Sequence, residues 1–161
     1  MEHIKAPTAY SKQLPDDIDF NVFLGGSIEM GAAEPWQDQL VERLQHLKVR
    51  FFNPRRDDWD ASWTQSINDP QFTQQVNWEL DTLEYCDLIV FYFDPATKSP
   101  ITLMELGLHA DSEKVLVCCP DGFWRKGNVE IVCDRYGIPL FNTFDQLVAG
   151  IQIQLDVLMG N

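Results

Sequence analysis

Basic residues are scarce in this chain of 161 residues. Lys and Arg together number 12 against 25 Asp and Glu, which gives a formal net charge of −13. Nucleic-acid polymers and anionic membrane surfaces are bound through basic patches. The composition therefore argues against both as partners, although it does not exclude a small anionic ligand held by backbone N–H groups.

Motifs that hold metals are also missing. The four cysteines form no C-x-x-C pair, and the three histidines take part in no H-E-x-x-H pattern. Such spacings are what zinc sites need, so we expect neither a metal nor another cofactor. Three of the cysteines lie in apolar stretches, which indicates reduced, buried thiols in a cytoplasmic protein. The cysteines are Cys86, Cys118, Cys119 and Cys133.

Long hydrophobic runs are absent too. No apolar run approaches the ~20 residues of a membrane span, and residues 1–20 contain no apolar stretch typical of a secretory signal. The chain is nevertheless 45% hydrophobic and 12% aromatic, which is typical of a folded domain. We expect a flexible N-terminal arm over residues 1–18 and a single domain over residues 19–161.

Apolar runs alternate with helical patterns along that domain. The patterns predict five strands, at 21–26, 49–52, 88–93, 115–119 and 139–141. They predict helices at 35–47, 70–85, 100–112, 128–136 and 143–159. Alternation of this kind indicates an α/β fold in which helices cover both faces of a parallel sheet. We therefore predict a flavodoxin-like, Rossmann-like doubly wound sheet in three α/β/α layers, with its ligand at the carboxyl ends of the strands.

Several candidate binding residues follow the first two predicted strands. Gly25, Gly26 and Ser27 end the first strand, and glycines there let backbone N–H groups approach a ligand closely. Asn53 and Trp59 follow the second strand, where an amide and an indole could hold a planar base. The plain structural alternatives are a glycine-rich turn and a Trp that packs on the core.

Further candidates follow the third and fourth predicted strands. Asp94 ends the third strand, where Asp-Pro is also an ordinary turn starter. Trp124 and Asn128 belong to an aromatic and basic segment after the fourth strand. That segment is either part of a binding site or a hydrophobic anchor for its loop.

The helix that follows Ser99 is the most informative segment. It reads P-I-T-L-M-E-L-G-L-H-A over residues 100–110 and is apolar on nearly every side, so it should be buried. Glu105 is its only charged residue before Asp111, and buried carboxylates are costly and cluster at active sites. The structural alternative is that Glu105 pairs with an Arg or caps a neighbouring loop. Ser99 and Thr102, at the start of the helix, are candidate substrate-binding residues.

Three pieces of the chain resemble the nucleoside 2-deoxyribosyltransferase-like superfamily, which includes the 2-deoxynucleoside 5-phosphate N-hydrolases. The pieces are F-L-G-G-S-I at 23–28, the segment from Asp81 to Asp87, and Ser99 followed by E-L-G at 105–107. The spacing from Asp81 through Ser99 to Glu105 agrees with the N-hydrolase pattern without a gap. The resemblance covers residues 21–145.

The resemblance implies an enzyme that acts on the N-glycosidic bond of a 2-deoxynucleoside or its 5-phosphate. Glu105 would be the nucleophile and would form a covalent deoxyribosyl ester, as in retaining glycosidases. Asp81 would orient Glu105 or handle the proton at the leaving base. Ser99 would hold the 5-hydroxyl or 5-phosphate, and the glycine loop would line the pocket. A second base then completes a transfer, or water completes a hydrolysis.

Two departures place the sequence between the subgroups that it resembles. The N-hydrolases carry a basic residue shortly after Gly-Ser-Ile, where this chain has Glu29. The transferases tend to carry an acidic residue where Ser99 stands. A phosphate would then need another cation, for which the chain offers Arg55, Arg56, Arg125 and Lys126.

The resemblance also implies a homo-oligomer whose site receives a loop residue from a neighbouring subunit, with Trp124 and Asn128 as candidates. Two other functions stay open from the sequence. One is a non-catalytic nucleotide-binding module that uses the same cleft. The other is an N-glycosidase that acts on an NAD- or ADP-ribose-like molecule.

Overall fold

The computed structural model describes residues 1–28, 33–58, 60 and 62–160. Strands and helices alternate along these residues. The strands are β1 (Glu2–Lys5), β2 (Phe20–Gly26), β3 (Val49–Asn53), β4 (Leu88–Tyr92), β5 (Val115–Cys118) and β6 (Leu140–Phe141). The helices are α1 (Trp36–Arg43), α2 (Pro70–Tyr85), α3 (Pro100–His109), α4 (Lys126–Tyr136) and α5 (Phe144–Met159).

The strands form one sheet in the order β1-β3-β2-β4-β5-β6, and every neighbouring pair is parallel. The predicted α/β fold with a doubly wound, flavodoxin-like parallel sheet is therefore confirmed. The predicted count of five strands is wrong, because β1 adds a sixth strand at the edge beside β3. The order reverses between β2 and β4, and sheets of this kind bind ligands at such a switch point.

The N-terminal segment, which the sequence analysis set apart as a flexible arm, is part of this sheet. Ile4 is in register with Phe52 of β3, and the Nε of Arg50 donates to Glu2 at 2.6 Å. The ring of Tyr10 lies 4.6 Å from that of Phe52. The strand was missed because E-H-I-K has one apolar residue, as suits a short strand at a sheet edge.

The core lies on both faces of the sheet. One cluster packs the sheet against α2, α3 and α4, and the other packs it against α1 and α5. Residues 88–91 of β4 are 2% exposed or less, which explains why this central strand is a continuous apolar run. Within the described residues, none of the helices combines the length and the hydrophobicity that crossing a membrane requires.

The cysteines belong to this core. All four are buried and free. Burial raises the pKa of the Cys118 and Cys133 thiols to about 12. Both side chains therefore stay protonated near neutral pH and act as small apolar groups.

Candidate active site

A cavity of about 640 Å³ opens at the carboxyl edge of the sheet, between α2 and α3. Four segments enclose it: the loops after β2 and β3, one face of α2, and the first turns of α3. Its lining residues are Gly26, Ile28, Pro54, Arg55, Arg56, Asp57, Gln65, Phe72, Gln75, Val76, Glu79, Leu80, Ser99, Pro100, Ile101, Thr102, Met104 and Glu105. The cavity lies where an open parallel sheet is expected to bind its ligand.

The start of α2 sets which of its side chains face the cavity. Asp69 caps the helix by accepting hydrogen bonds from the backbone N–H groups of Gln71 and Phe72, and Pro70 occupies the first helical position. Residues three or four apart then share one face of the helix. Phe72, Gln75 and Glu79 line the cavity for this reason.

Two carboxyl groups interact in this cavity, Glu105 from α3 and Glu79 from α2. Glu105 is only 6% exposed. Burial raises its pKa to about 8, and the nearby charge of Glu79 adds to the effect. Burial also raises the pKa of Glu79, and a hydrogen bond from Gln75 lowers it; the effect of burial is the larger, so the pKa is about 7. Interacting carboxyl groups of this kind titrate as a pair, and near neutral pH this pair holds about one proton.

Among the described residues, no Lys or Arg forms an ion pair with Glu105. Of the two structural alternatives for this residue, the ion pair with an Arg is therefore not present in the described part of the chain. A raised pKa beside a second carboxyl group in a cleft is instead the arrangement found at sites of acid–base chemistry.

Asp81 does not join this pair. Its side chain is exposed, and it is not among the residues that line the cavity. Residues two apart on a helix point about 200° apart, so Asp81 and Glu79 cannot share a face of α2. The buried residues Thr82 and Leu83 lie three and four positions after Glu79. That spacing was the signal in the sequence that identifies Glu79 as the inward carboxylate.

A cluster of buried hydroxyl groups lies at the start of α3. The Oγ of Ser27 is 2.6 Å from the Oγ of Ser99 and 2.7 Å from the Oγ1 of Thr97. Ser99 has a left-handed backbone (φ 45°) and immediately precedes Pro100. The cluster places Ser99 at the N-terminus of α3, where a helix favours negative charge. Thr102 lines the cavity one turn further on.

The two candidate glycines have different surroundings. Gly26 lines the cavity, and with φ +151° a Cβ there would clash with the carbonyl oxygen of Tyr92. Gly25 does not line it, and a Cβ on Gly25 would lie 2.7 Å from the ring of Phe91. Gly26 therefore allows the backbone to border the cavity, whereas Gly25 allows the strand to pack on Phe91.

The side chains of Asp94 and Asn53 form hydrogen bonds to the backbone of the loops in which they lie. The Oδ1 of Asp94 accepts a hydrogen bond from the backbone of Ala96 at 2.8 Å, which is the turn-starting alternative. Asn53 is fully buried, and its Oδ1 accepts from the backbone of Arg55 at 2.9 Å. Neither residue lines the cavity. Trp59 and Glu29 lie outside the described residues.

The loop after β3 brings two cations to the cavity wall. The guanidinium of Arg55 donates to Gln37 and to the carbonyl oxygens of Ala33 and Glu34. The guanidinium of Arg56 donates through Nε and Nη2 to Asp58, at 2.6 and 3.2 Å. The Arg55 guanidinium is thus held by partners within the protein, whereas the Nη1 of Arg56 is buried and has no hydrogen-bond partner among the described residues.

Trp124 and Asn128 lie elsewhere. They line a second, more open cavity of about 330 Å³ between α3 and α4, with Leu103, Leu106, Gly107, Arg125, Val129 and Val132. Trp124 is half exposed, and its Nε1 donates to the carbonyl oxygen of Lys98 at 2.9 Å. Within one chain these two residues are not brought to the carboxyl pair.

The fold and the site thus define an α/β domain whose cavity holds an interacting carboxyl pair. A model of the family described as nucleoside 2-deoxyribosyltransferase like matches residues 19–123. The chain belongs to this family, which supports N-deoxyribosyl transfer or hydrolysis as its general chemistry. A search of curated proteins found no match. Among solved structures, a conserved protein from Enterococcus faecalis V583 is similar, with a TM-score of 0.60 and 14% identity, over 84% of this chain and 98% of that one. That likeness supports the fold.

Proposed function

We propose that the protein is an enzyme that cleaves or transfers at the N-glycosidic bond of a 2-deoxynucleoside or its 5-phosphate. The observation that carries the proposal is the pair of interacting carboxyl groups, buried Glu105 and part-buried Glu79, in the cavity of about 640 Å³. One ionised and one protonated carboxyl group are what a retaining glycosidic reaction requires.

The reaction needs the proton of the pair on Glu79, whereas the higher pKa of Glu105, about 8 against about 7, places that proton on Glu105 in the free protein. A proton transfer within the pair therefore precedes the proposed first step, in which the Glu105 carboxylate attacks the anomeric carbon of the deoxyribose. The C–N bond breaks and its electron pair goes to the base, which takes the proton from Glu79. The products are a free base and a deoxyribosyl ester of Glu105. In the second step a nitrogen of another base, or a water molecule, attacks the same carbon and gives its proton to Glu79. The ester bond breaks and Glu105 leaves as a carboxylate.

The residues around the pair would bind the rest of the substrate. Ser99 and Thr102 lie on the turns of α3 that precede Glu105, so we assign them to the 5-hydroxyl or 5-phosphate end. Gly26 would border the sugar. Ser27 is fully buried and does not line the cavity, so its hydroxyl would hold Ser99 instead of the substrate. The base would then lie toward the loop after β3 and Phe72 of α2, on the other walls of the cavity.

We further propose that the enzyme is a homo-oligomer. Ile101, Met104 and Leu108 form an apolar stripe on α3, and each is more than half exposed. The first two also line the cavity, so a second copy on this stripe would enclose it. Trp124 and Asn128 stay candidates for a contribution from a neighbouring subunit.

Base release tests the proposed function. The protein is incubated with a panel of 2-deoxynucleosides and their 5-phosphates, with and without an acceptor base, and products are separated by liquid chromatography. We expect release by wild type and by Asp81→Asn, and loss of at least ~10³-fold in Glu105→Ala. Asp81→Asn is the matched control, because it changes an exposed carboxylate outside the cavity.

The outcomes separate the alternatives. New nucleoside in the acceptor lanes indicates transfer, and free sugar alone indicates hydrolysis. No release from any substrate would contradict the proposal and favour a non-catalytic nucleotide-binding module or a larger ribosyl ligand. Near wild-type release by Glu105→Ala would contradict the nucleophile assignment.

A further inference from the structure

Gln75 is a buried amide beside the carboxyl pair, and no motif in the sequence marks it. It is 3% exposed and lines the same cavity. It precedes Glu79 by one helical turn on α2. Its Nε2 donates to the Oε1 of Glu79 at 2.8 Å and to the carbonyl oxygen of Pro54 at 2.9 Å.

These two bonds determine the orientation of the amide. Both acceptors are oxygens, so only the NH₂ end of Gln75 can face them. Its Oε1 is then left buried, with no hydrogen-bond partner in the described part of the chain. A buried acceptor without a partner is unfavourable. An apolar side chain would avoid that penalty, but it would leave the carbonyl oxygen of Pro54 and the Glu79 carboxyl group without this donor. Packing alone therefore does not explain an amide at this position.

We propose that Gln75 is a positioning residue, which fixes the Glu79 carboxyl group so that its exchangeable proton is carried on Oε2. The inference rests on the proposed function, since it assigns Glu79 the proton that the leaving base receives. The amide N–H of Gln75 donates to Oε1 of Glu79. A protonated carboxyl group accepts hydrogen bonds best at its carbonyl oxygen, so Oε1 is the carbonyl oxygen and Oε2 carries the proton. Oε2 is therefore the oxygen that gains and loses the proton.

The same bond supports the charged form of Glu79. Desolvation raises the pKa of Glu79, and the bond from Gln75 lowers it. The other charged groups around Glu79 are Glu105 on α3 and the residues that line the cavity from the loop after β3, which are Arg55, Arg56 and Asp57. Gln75→Met changes none of these charges, but it also removes the hydrogen bond to the carbonyl oxygen of Pro54, beside Arg55. A measurement on wild-type protein is therefore needed to separate the bond to Glu79 from the bond to Pro54.

The test is the pH profile of kcat in Gln75→Met, with Gln74→Met as the matched control. Gln74 is the same residue type one position earlier, and it is exposed. The reaction needs one proton on the pair, so activity falls at low pH when both groups are protonated. Losing the donor destabilises the charged form of Glu79. The acidic limb should then move to higher pH by about one unit in Gln75→Met only. An unmoved limb, with kcat lowered equally at every pH, would overturn the proposal.

A second measurement needs neither turnover nor a folded variant. In wild-type protein, NMR would follow the side-chain amide of Gln75 and the ¹³C carboxyl signal of Glu79 against pH. We expect both to report the same midpoint. A Gln75 amide that does not respond when Glu79 titrates would overturn the positioning role even if the protein releases no base. A shared midpoint in a protein without base release would keep the Gln75–Glu79 linkage and contradict only the proposed function.

Discussion

The buried carboxyl group of Glu105 should destabilise the fold in a pH-dependent way. Glu105 has a pKa of about 8 in the folded protein against 4.5 ordinarily. Between pH 4.5 and about pH 8, the Glu105 carboxyl group therefore binds more protons in the folded state than in the unfolded state. The free energy of unfolding therefore falls as the pH rises from about 4.5 to about 8.

The magnitude follows from the same values. Raising the pKa from 4.5 to about 8 corresponds to about 5 kcal/mol between the two protonation states. Glu105→Gln keeps the shape and removes the charge, but it adds amide N–H groups that need partners. We therefore expect the variant to be more stable than wild type by ~3 kcal/mol at pH 9, and to differ little at pH 5.

Urea unfolding at pH 5, 7 and 9 measures this difference. Asp81→Asn is the control, because it removes one negative charge from an exposed position and reports the general effect of net charge. Equal pH dependence of the unfolding free energy in wild type, Glu105→Gln and Asp81→Asn would refute the reasoning. Such a result would mean that Glu105 is hydrated or paired in solution.

Three further predictions concern the surroundings of the pair. Deleting residues 1–11 should lower Tm in thermal unfolding and raise KM, because Lys5 binds Asp57 of the cavity wall at 3.0 Å; an unchanged KM in the folded variant would contradict the second part. Ser99→Ala should lower kcat/KM by ~10-fold, mostly through KM, if Ser99 binds the 5 end of the substrate; steady-state kinetics would refute this by showing a loss in kcat alone. Met104→Glu should dissociate the proposed oligomer in light scattering, whereas Ile153→Glu on α5, at a similarly exposed apolar residue, should not; a monomeric wild type would contradict the interface.

Much of the fold followed from hydrophobic patterning, because a parallel sheet covered on both faces has strands that are apolar throughout. β4 and β5 are of this kind. β1 is not: it lies at an edge, is four residues long and has one apolar residue. Its place depends on pairing with β3 and on the packing of Tyr10, which local sequence does not report.

The site was predictable only in part. Glu105 was predictable because a single charge in an apolar helix is unusual. Its partner on α2 was missed, because the spacing of three and four residues from Glu79 to Thr82 and Leu83, which favours Glu79 over Asp81, was not used to assign the inward face of the helix. Asn53, Asp94 and Gly25 lie at strand ends as predicted, but they do not line the cavity. Asn53 and Asp94 form hydrogen bonds within their own loops, and Gly25 packs against Phe91.

The most direct test of the account is to look for the deoxyribosyl ester itself. Wild type, Glu105→Gln and Glu79→Gln would be mixed with a 2-deoxynucleoside, quenched in acid, digested and examined by mass spectrometry. We predict one deoxyribosyl adduct on the peptide that contains Glu105 in wild type, none in Glu105→Gln, and slower formation in Glu79→Gln. Base release by wild type without an adduct on Glu105, or with an adduct on another carboxylate, would contradict the central claim.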